Sequence, residues 1–313
     1  MTLSITFIAF FLCIILNVYF QKLFFKKGIV DKINKRSSHK ELATRSGGVA
    51  LFITLFTISV YNYIIGNTLF DYSVIVPLGL LSVVGLYDDL FNIDFILKFI
   101  FQIIAAKIII DNGFLIENLH GIFGIYELNR TLAQLLTIFV ILSIINAINF
   151  IDGIDGLAIT IVAIFISLFE LYSNKPSPFI NLTSIILSSI IPLFYFNFKK
   201  SKKVFLGDSG SLVLGGIASI YIIYILTNDY VIIKDYDLHK LLFVISIFIY
   251  PVVDITRVVI IRMYNGNSPF EADKNHIHHK LNKRLKSHKK TTIFLGLFSL
   301  LFMIAIQLLS DLF

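Results

Sequence analysis

Apolar runs of about twenty residues recur along the whole 313-residue chain, broken by short polar stretches. A helix rising ~1.5 Å per residue needs about that many apolar residues to cross the hydrocarbon core of a bilayer. The runs predict ten spans: 3–21, 48–65, 72–87, 95–110, 131–148, 157–172, 179–197, 211–227, 239–261 and 292–310. The pattern therefore specifies an all-α, polytopic integral membrane protein with about ten transmembrane helices. The expected organisation is a single domain, 1–313, since no Pro/Ser-rich linker, low-complexity tract or internal repeat divides it. The first run, MTLSITFIAFFLCIILNVYF, has no basic segment before it and no small-residue cleavage site, so it reads as a retained span.

Composition agrees with this pattern. Hydrophobic residues make up 57% of the chain and charged residues 15%, where a soluble domain carries about a quarter charged residues. The single Cys13 lies in the first run, which rules out an intrachain disulfide framework. Trp is absent, so an interfacial aromatic belt must use the 14 Tyr and some of the 31 Phe.

Charge sets the expected orientation. Of the 27 Lys and Arg, 20 fall in loops 22–47, 198–210 and 262–291, which share a side with loops 88–94 and 149–156. The loops of the other side hold only Arg130, Lys175 and Lys234. The positive-inside rule makes the first set cytoplasmic and both termini external. The net charge of +7 then belongs mainly to one membrane face, as attraction to anionic lipid would require. No soluble nucleic-acid-binding module is present, so nucleic acid is not an expected partner.

The chemistry-bearing clusters all fall in or beside those cytoplasmic loops. YDDL carries Asp88 and Asp89, NAINFIDGIDGLA carries Asn146, Asn149, Asp152 and Asp155, and FLGDSGSL carries Asp208. DKNHIHHKL carries His276, His278 and His279, and RSSHKELATRSGG carries His39 and Arg45. Topology came from hydropathy and Lys/Arg alone, so this convergence argues independently for one site. Asn146, Asn149 and Asp152, spaced three apart, share a stripe at a helix end. Asn bonding across a bundle would explain one or two of them, but two carboxylates among glycines at a membrane face suggest a functional site.

Asp88 and Asp89 are adjacent, so at most one is expected to be a direct ligand. The backbone N–H groups after Gly207 are placed to meet a phosphate, with Asp208 spare for a divalent cation if Ser209 or Ser211 caps the helix. His276 and His279 share a face, and Ile277, Leu281 and Leu285 form an apolar stripe suited to a membrane surface. Zinc is one reading of the histidines. The surrounding acids favour an oxygen-seeking cation, with the histidines on a phosphate. Carboxylates with Mg²⁺, ringed by cations, suit phosphoryl transfer from a pyrophosphate to an acceptor in the same membrane.

The stretches GLYDDL, NAINFIDGIDGLA, VFLGDSGSLVLGG and DKNHIHHKL, in this order, resemble the polyprenyl-phosphate N-acetylhexosamine-1-phosphate transferases, which include phospho-MurNAc-pentapeptide translocase. That resemblance runs from residue 36 to about 285 and implies a ten- or eleven-helix fold with a site at the cytoplasmic face. It implies transfer of HexNAc-1-phosphate from a UDP-sugar to undecaprenyl phosphate, with release of UMP, in a bacterial inner membrane. Mg²⁺, or Mn²⁺ in its place, is the implied cofactor, and a homodimer the implied assembly.

By that likeness Asp208 is the metal ligand. Asp88, Asp89, Asp155, His276, His278 and His279 are catalytic. His39, Arg45, Asn146, Asn149, Asp152, Phe205 and Lys98 bind substrate, with Phe205 stacking on uracil. The H-x-H-H form is that of the GlcNAc-type branch, whereas the muramoyl branch carries three consecutive histidines. RSSHKELATRSGG resembles the R-S-S-H-x-x-P-T-P-R-G-G-G pattern of O-antigen initiators, with Leu42 and Thr44 in place of the prolines and Ser46 in place of the first glycine. An O-antigen or capsule initiator is expected, with the sugar left open between GlcNAc and a 6-deoxy HexNAc.

Three other classes fit less well. CDP-alcohol phosphotransferases need an arginine after D-G-x-x-A and a spaced Asp pair, and neither follows Asp152-Gly153. Intramembrane prenyltransferases need two aspartate-rich motifs, which DDLFNID meets in part and FIDGID poorly. An ion- or proton-coupled transporter needs mid-span acids in pseudo-symmetric repeats.

Overall fold

Each apolar run folds as a helix. The computed structural model describes residues 2–31, 42–119, 124–173, 177–227, 238–266 and 275–310. The long helices are α1 (Thr2–Lys26), α2 (Gly47–Ile64), α3 (Ile75–Phe91), α4 (Phe95–Asp111), α5 (Arg130–Ile151), α6 (Leu157–Tyr172), α7 (Ile180–Asn197), α8 (Gly207–Thr227), α9 (Leu238–Tyr264) and α11 (His288–Ser310). A short α10 (Ile277–Leu285) joins the last two. Sheet among the described residues is limited to β1 (Ala43–Thr44) paired in parallel with β2 (Lys203–Val204).

The chain is thus an all-α, multi-pass membrane protein. Among the described residues, seven helices are long and apolar enough to cross a bilayer: α1, α2, α3 with its preceding turn, α5, α7, α8 and α11. The other three predicted spans are helical too, but α4 has 17 residues, α6 has 16, and α9 carries Asp254, Arg257 and Arg262.

Helix α8 is the axis of the bundle. It is apolar on all faces and packs against α2, α3, α5 and α6, as a helix without a polar stripe must. Around this axis α1 packs on α2 and α7, α4 on α3 and α5, and α11 on α6, α9 and α10. Phe7, Phe11, Tyr63, Val83, Phe139 and Leu301 point outward and are exposed, as lipid-facing side chains would be.

Two local features position the loops at one end of the bundle. The β1–β2 pair continues into α2: Phe205 N donates to Thr44 O (2.7 Å), and the Gly47 and Gly48 N–H groups donate to Phe205 O and Leu206 O (3.0 and 2.8 Å). The first turn of α2 is thereby capped by the chain that leads into α8. At Gly85 in α3, a Cβ would lie 2.4 Å from the Asp208 carbonyl. Only glycine permits this approach, which sets the last turn of α3 directly beside the start of α8.

Candidate active site

The last turn of α3 carries two acids, and both reach Asp208. The helix runs to Phe91, past the predicted end at 87, so Asp88 and Asp89 are helical. Asp88 Oδ1 accepts from Ile93 N (3.0 Å), and its Oδ2 pairs with Lys98 Nζ of α4 (2.9 Å). Lys98 Nζ also pairs with Asp208 Oδ2, so one ammonium bridges the two carboxylates.

Asp89 turns the other way. Its buried carboxylate accepts from Asp208 N and Ser209 N, both at 3.1 Å. An anion from a neighbouring helix therefore caps α8 and complements the positive end of its dipole. This corrects two expectations. The first N–H groups of α8 face Asp89 rather than a phosphate, and the cap comes from α3 rather than from Ser209 or Ser211. It also explains why α8 begins at Gly207, four residues before the predicted span.

Arg45, held before α2 by the β1–β2 pairing, places Nη1 3.5 Å from Asp89 Oδ1 and Nη2 2.9 Å from Asp31 Oδ1. Phe205, the residue after β2, is half-buried, with Lys203 Nζ 5.8 Å from its ring centre. His39 lies outside the described residues.

The polar stripe of α5 divides by depth. Asn146 Nδ2 donates to Gln102 Oε1 of α4 (2.8 Å), an amide pair across the bundle. One turn nearer the helix end, Asn149 Nδ2 donates to Ser211 Oγ of α8 (2.8 Å). Asp152 follows the helix and is half-buried. Burial and the charges of Asp208, Asp89 and Asp155 push its carboxyl well above the ordinary aspartate range, against the pull of Arg45. Like-charged carboxylates crowded in this way favour an added cation.

Asp155 is tied into the scaffold. Its carboxylate pairs with Lys203 Nζ of β2 and lies 3.1 Å from His288 Nδ1 at the start of α11. Its carbonyl accepts from Thr292 Oγ1 (2.7 Å). Burial works to raise this carboxyl, but His288 and Lys203 outweigh it and hold the group below the ordinary range. Gly156 then turns the chain into α6 with φ +71°, against the ring of Phe198.

The histidines meet this loop from the other side. A Cβ at Gly153 would lie 3.3 Å from His279 Cε1 and 3.4 Å from His278 Nε2. His276 stacks on Phe150 of α5, with ring centres 5.8 Å apart. The stripe residues Ile277 and Leu281 pack on the protein core, while Lys280, Lys283 and Arg284 are exposed. Burial lowers the His278 imidazole, with Asp254 acting in the opposite sense.

The sequence reading missed Asp254, Lys203, His288 and Gln102. An acid inside a predicted apolar span was the available signal for Asp254. Lys203 and His288 had none, because they act only through a contact distant in sequence.

Carboxylates bridged by an ammonium thus gather at one end of the membrane bundle, with a histidine cluster beside them. Residues 71–226 match the model of glycosyl transferase family 4, and the chain belongs to that family. It is 35% identical over 292 residues to the undecaprenyl-phosphate alpha-N-acetylglucosaminyl 1-phosphate transferase of Pasteurella multocida, covering 89% of this chain and 77% of that one. It is 29% identical over 305 residues to a probable undecaprenyl-phosphate N-acetylglucosaminyl 1-phosphate transferase of Bacillus subtilis, covering 95% and 82%. A decaprenyl-phosphate N-acetylglucosaminephosphotransferase of Mycolicibacterium smegmatis is 29% identical over 295 residues, covering 86% and 72%.

Proposed function

We propose that this protein transfers N-acetylhexosamine 1-phosphate from a UDP-sugar to undecaprenyl phosphate, releasing UMP. The product, a polyprenyl diphosphate sugar, would begin a cell-surface polysaccharide such as an O-antigen or capsule. The observation that carries this reading is the meeting of Asp88, Lys98 and Asp208 at the same bundle end as Asp152 and the histidines. The relatives named for this reaction support it. We place the site at the cytoplasmic face of a bacterial inner membrane, by the Lys/Arg asymmetry of the loops.

The lipid phosphate has its second pKa near ~6 and is mostly dianionic at neutral pH. It needs little deprotonation, so Asp88 is a positioning group rather than a base. A lipid phosphate oxygen attacks the sugar-linked phosphorus in line, and the bond to the bridging oxygen of UMP breaks. Lys98 and Arg45 hold negative charge near the acids. The histidines at the start of α10 face the diphosphate beside the loop after α5, and Phe205 offers a ring to the uracil.

The donor set at Asp208 and Asp152 is all hard oxygen, and the crowding of acids around Asp152 favours a cation there. These residues fit Mg²⁺, or Mn²⁺, with Asp208 the principal ligand. Bound there, the ion would supply charge stabilisation to the leaving phosphate. The test is UMP release by purified protein given undecaprenyl phosphate and a panel of UDP-HexNAc donors, with and without EDTA. EDTA-sensitive release with one donor is expected. Absence of release with every donor, from folded protein, would overturn the proposal.

A further inference from the structure

A buried carboxylate stands behind the histidine cluster. Asp254 lies in α9, outside the residues that match the family, and its side chain is fully buried. Oδ1 accepts from Ile277 N and Arg257 Nη2, both at 2.9 Å. Oδ2 lies 3.2 Å from His276 Nδ1 and 3.6 Å from His278 Nδ1. Arg257 Nη2 also donates to Asn275 O, and Tyr250 Oη lies 3.1 Å from His278 Nδ1. One side chain thus holds the first N–H of α10, the ring of His276 and the arginine that anchors the residue before it.

The two oxygens are not equivalent. Oδ1 faces two groups that can only donate. Oδ2 faces His276 Nδ1, and an ionised carboxylate can only accept. The His276 proton is therefore fixed on Nδ1, as a carboxylate behind an imidazole fixes it elsewhere. The rings of His276 and His278 lie 11° from parallel and turn Nδ1 to the same oxygen. On the far edge of its ring, His278 Nε2 meets Gly153 in the loop after α5.

The same three side chains place their ligand atoms within 4.8 Å of one another, as a metal would require. Arg257 on the same carboxylate opposes a second cation, and Tyr250 already shares His278 Nδ1. The geometry describes a hydrogen-bonded network.

We propose that Asp254 is a positioning residue for the transfer reaction. It locks His276 in the Nδ1–H tautomer and seats the start of α10, so that the Nε2 edges of the histidines face the loop after α5 and the donor diphosphate. This proposal rests on the reaction proposed above for its kinetic consequence, but not for its structural one.

The test uses full-length protein carrying ¹⁵N-labelled histidine, with His276 assigned from the spectrum of His276→Ala. Wild-type His276 is expected as the Nδ1–H tautomer. In Asp254→Asn the two donors at Oδ1 hold the amide oxygen there, so the amide NH₂ faces His276 Nδ1 and the tautomer reverses to Nε2–H. With UDP-sugar and undecaprenyl phosphate, kcat is expected to fall on the order of 100-fold, while KM for the lipid stays near wild type. His276→Ala added to Asp254→Asn should cost nothing further, because both changes remove one device.

An Nε2–H tautomer in the wild type would overturn the proposal, and this reading stands even if Asp254→Asn does not fold. Losses that multiply in the double variant, or stoichiometric metal that leaves with His276→Ala, would overturn it as well. Wild type that releases no UMP with any donor would sink the reaction, while the tautomer still decides the role of Asp254.

Discussion

At Asp208 the backbone and the side chain serve different ends. Its N–H is held by Asp89, while its carboxylate meets Lys98. Asp208→Asn leaves the first contact intact, so the variant is expected to fold and to lose UMP release by at least ~100-fold, the scale of losing one electrostatic contact to a transition state. Melting curves and turnover on the same preparation check both halves. Asp155 behaves in the opposite way, because its partners Lys203 and His288 belong to the scaffold. Its depressed carboxyl stabilises the fold fully above the unfolded aspartate value near ~3.9, and that contribution is lost as pH falls through the lower folded value. Asp155→Asn should cost about 3 kcal/mol at pH 7, the scale of breaking a buried pair. The gap to the parent should narrow below about pH 4, read by circular dichroism melts at both pH values. Residue types told the sequence reading that Asp88, Asp208 and Asp152 belong together. They could not tell that Asp89 caps a helix, or that Asp155 is held by Lys203 and His288, because such roles depend on which way a side chain turns.

Elements were legible where hydrophobicity alone defines them, and less so at their ends. All ten apolar runs are helices, yet α3 continues through Asp88 and Asp89, and α8 starts at Gly207 instead of 211. Both differences occur at one contact: the acid that ends α3 satisfies the N–H groups that begin α8. Hydropathy reads polar residues as loop, and cannot see a cap supplied across the bundle. Gly85 makes this contact possible. Gly85→Ala should destabilise the protein by about 1–3 kcal/mol and impair activity, since its Cβ would lie 2.4 Å from backbone. Gly79→Ala in the same helix meets only the tip of the Phe52 ring at 3.2 Å and should be far milder. Melting temperatures of the two variants, compared side by side, check the contrast. Equal effects would mean that the α3–α8 approach is not the constraint.

For the whole molecule, the sequence located one populated face and the structure gathers the polar clusters at one end of the bundle. The orientation of that end is testable, because the only native thiol, Cys13, is buried and donates to Ser189 O. In intact cells Lys286→Cys should resist an impermeant maleimide and react only after permeabilisation, while Tyr126→Cys, also exposed, should react at once. The reverse pattern would invert the topology. Lys98 has one more consequence at this scale. Its ammonium is a counter-ion that cannot diffuse away, tethered between Asp88 and Asp208 by its own helix. If the proposed divalent ion binds these carboxylates, Lys98 would be the charge it displaces, and the ammonium would be at hand to pair with them again once the ion is removed. Chelation should therefore switch the protein off without unfolding it, and readdition of the ion should restore it.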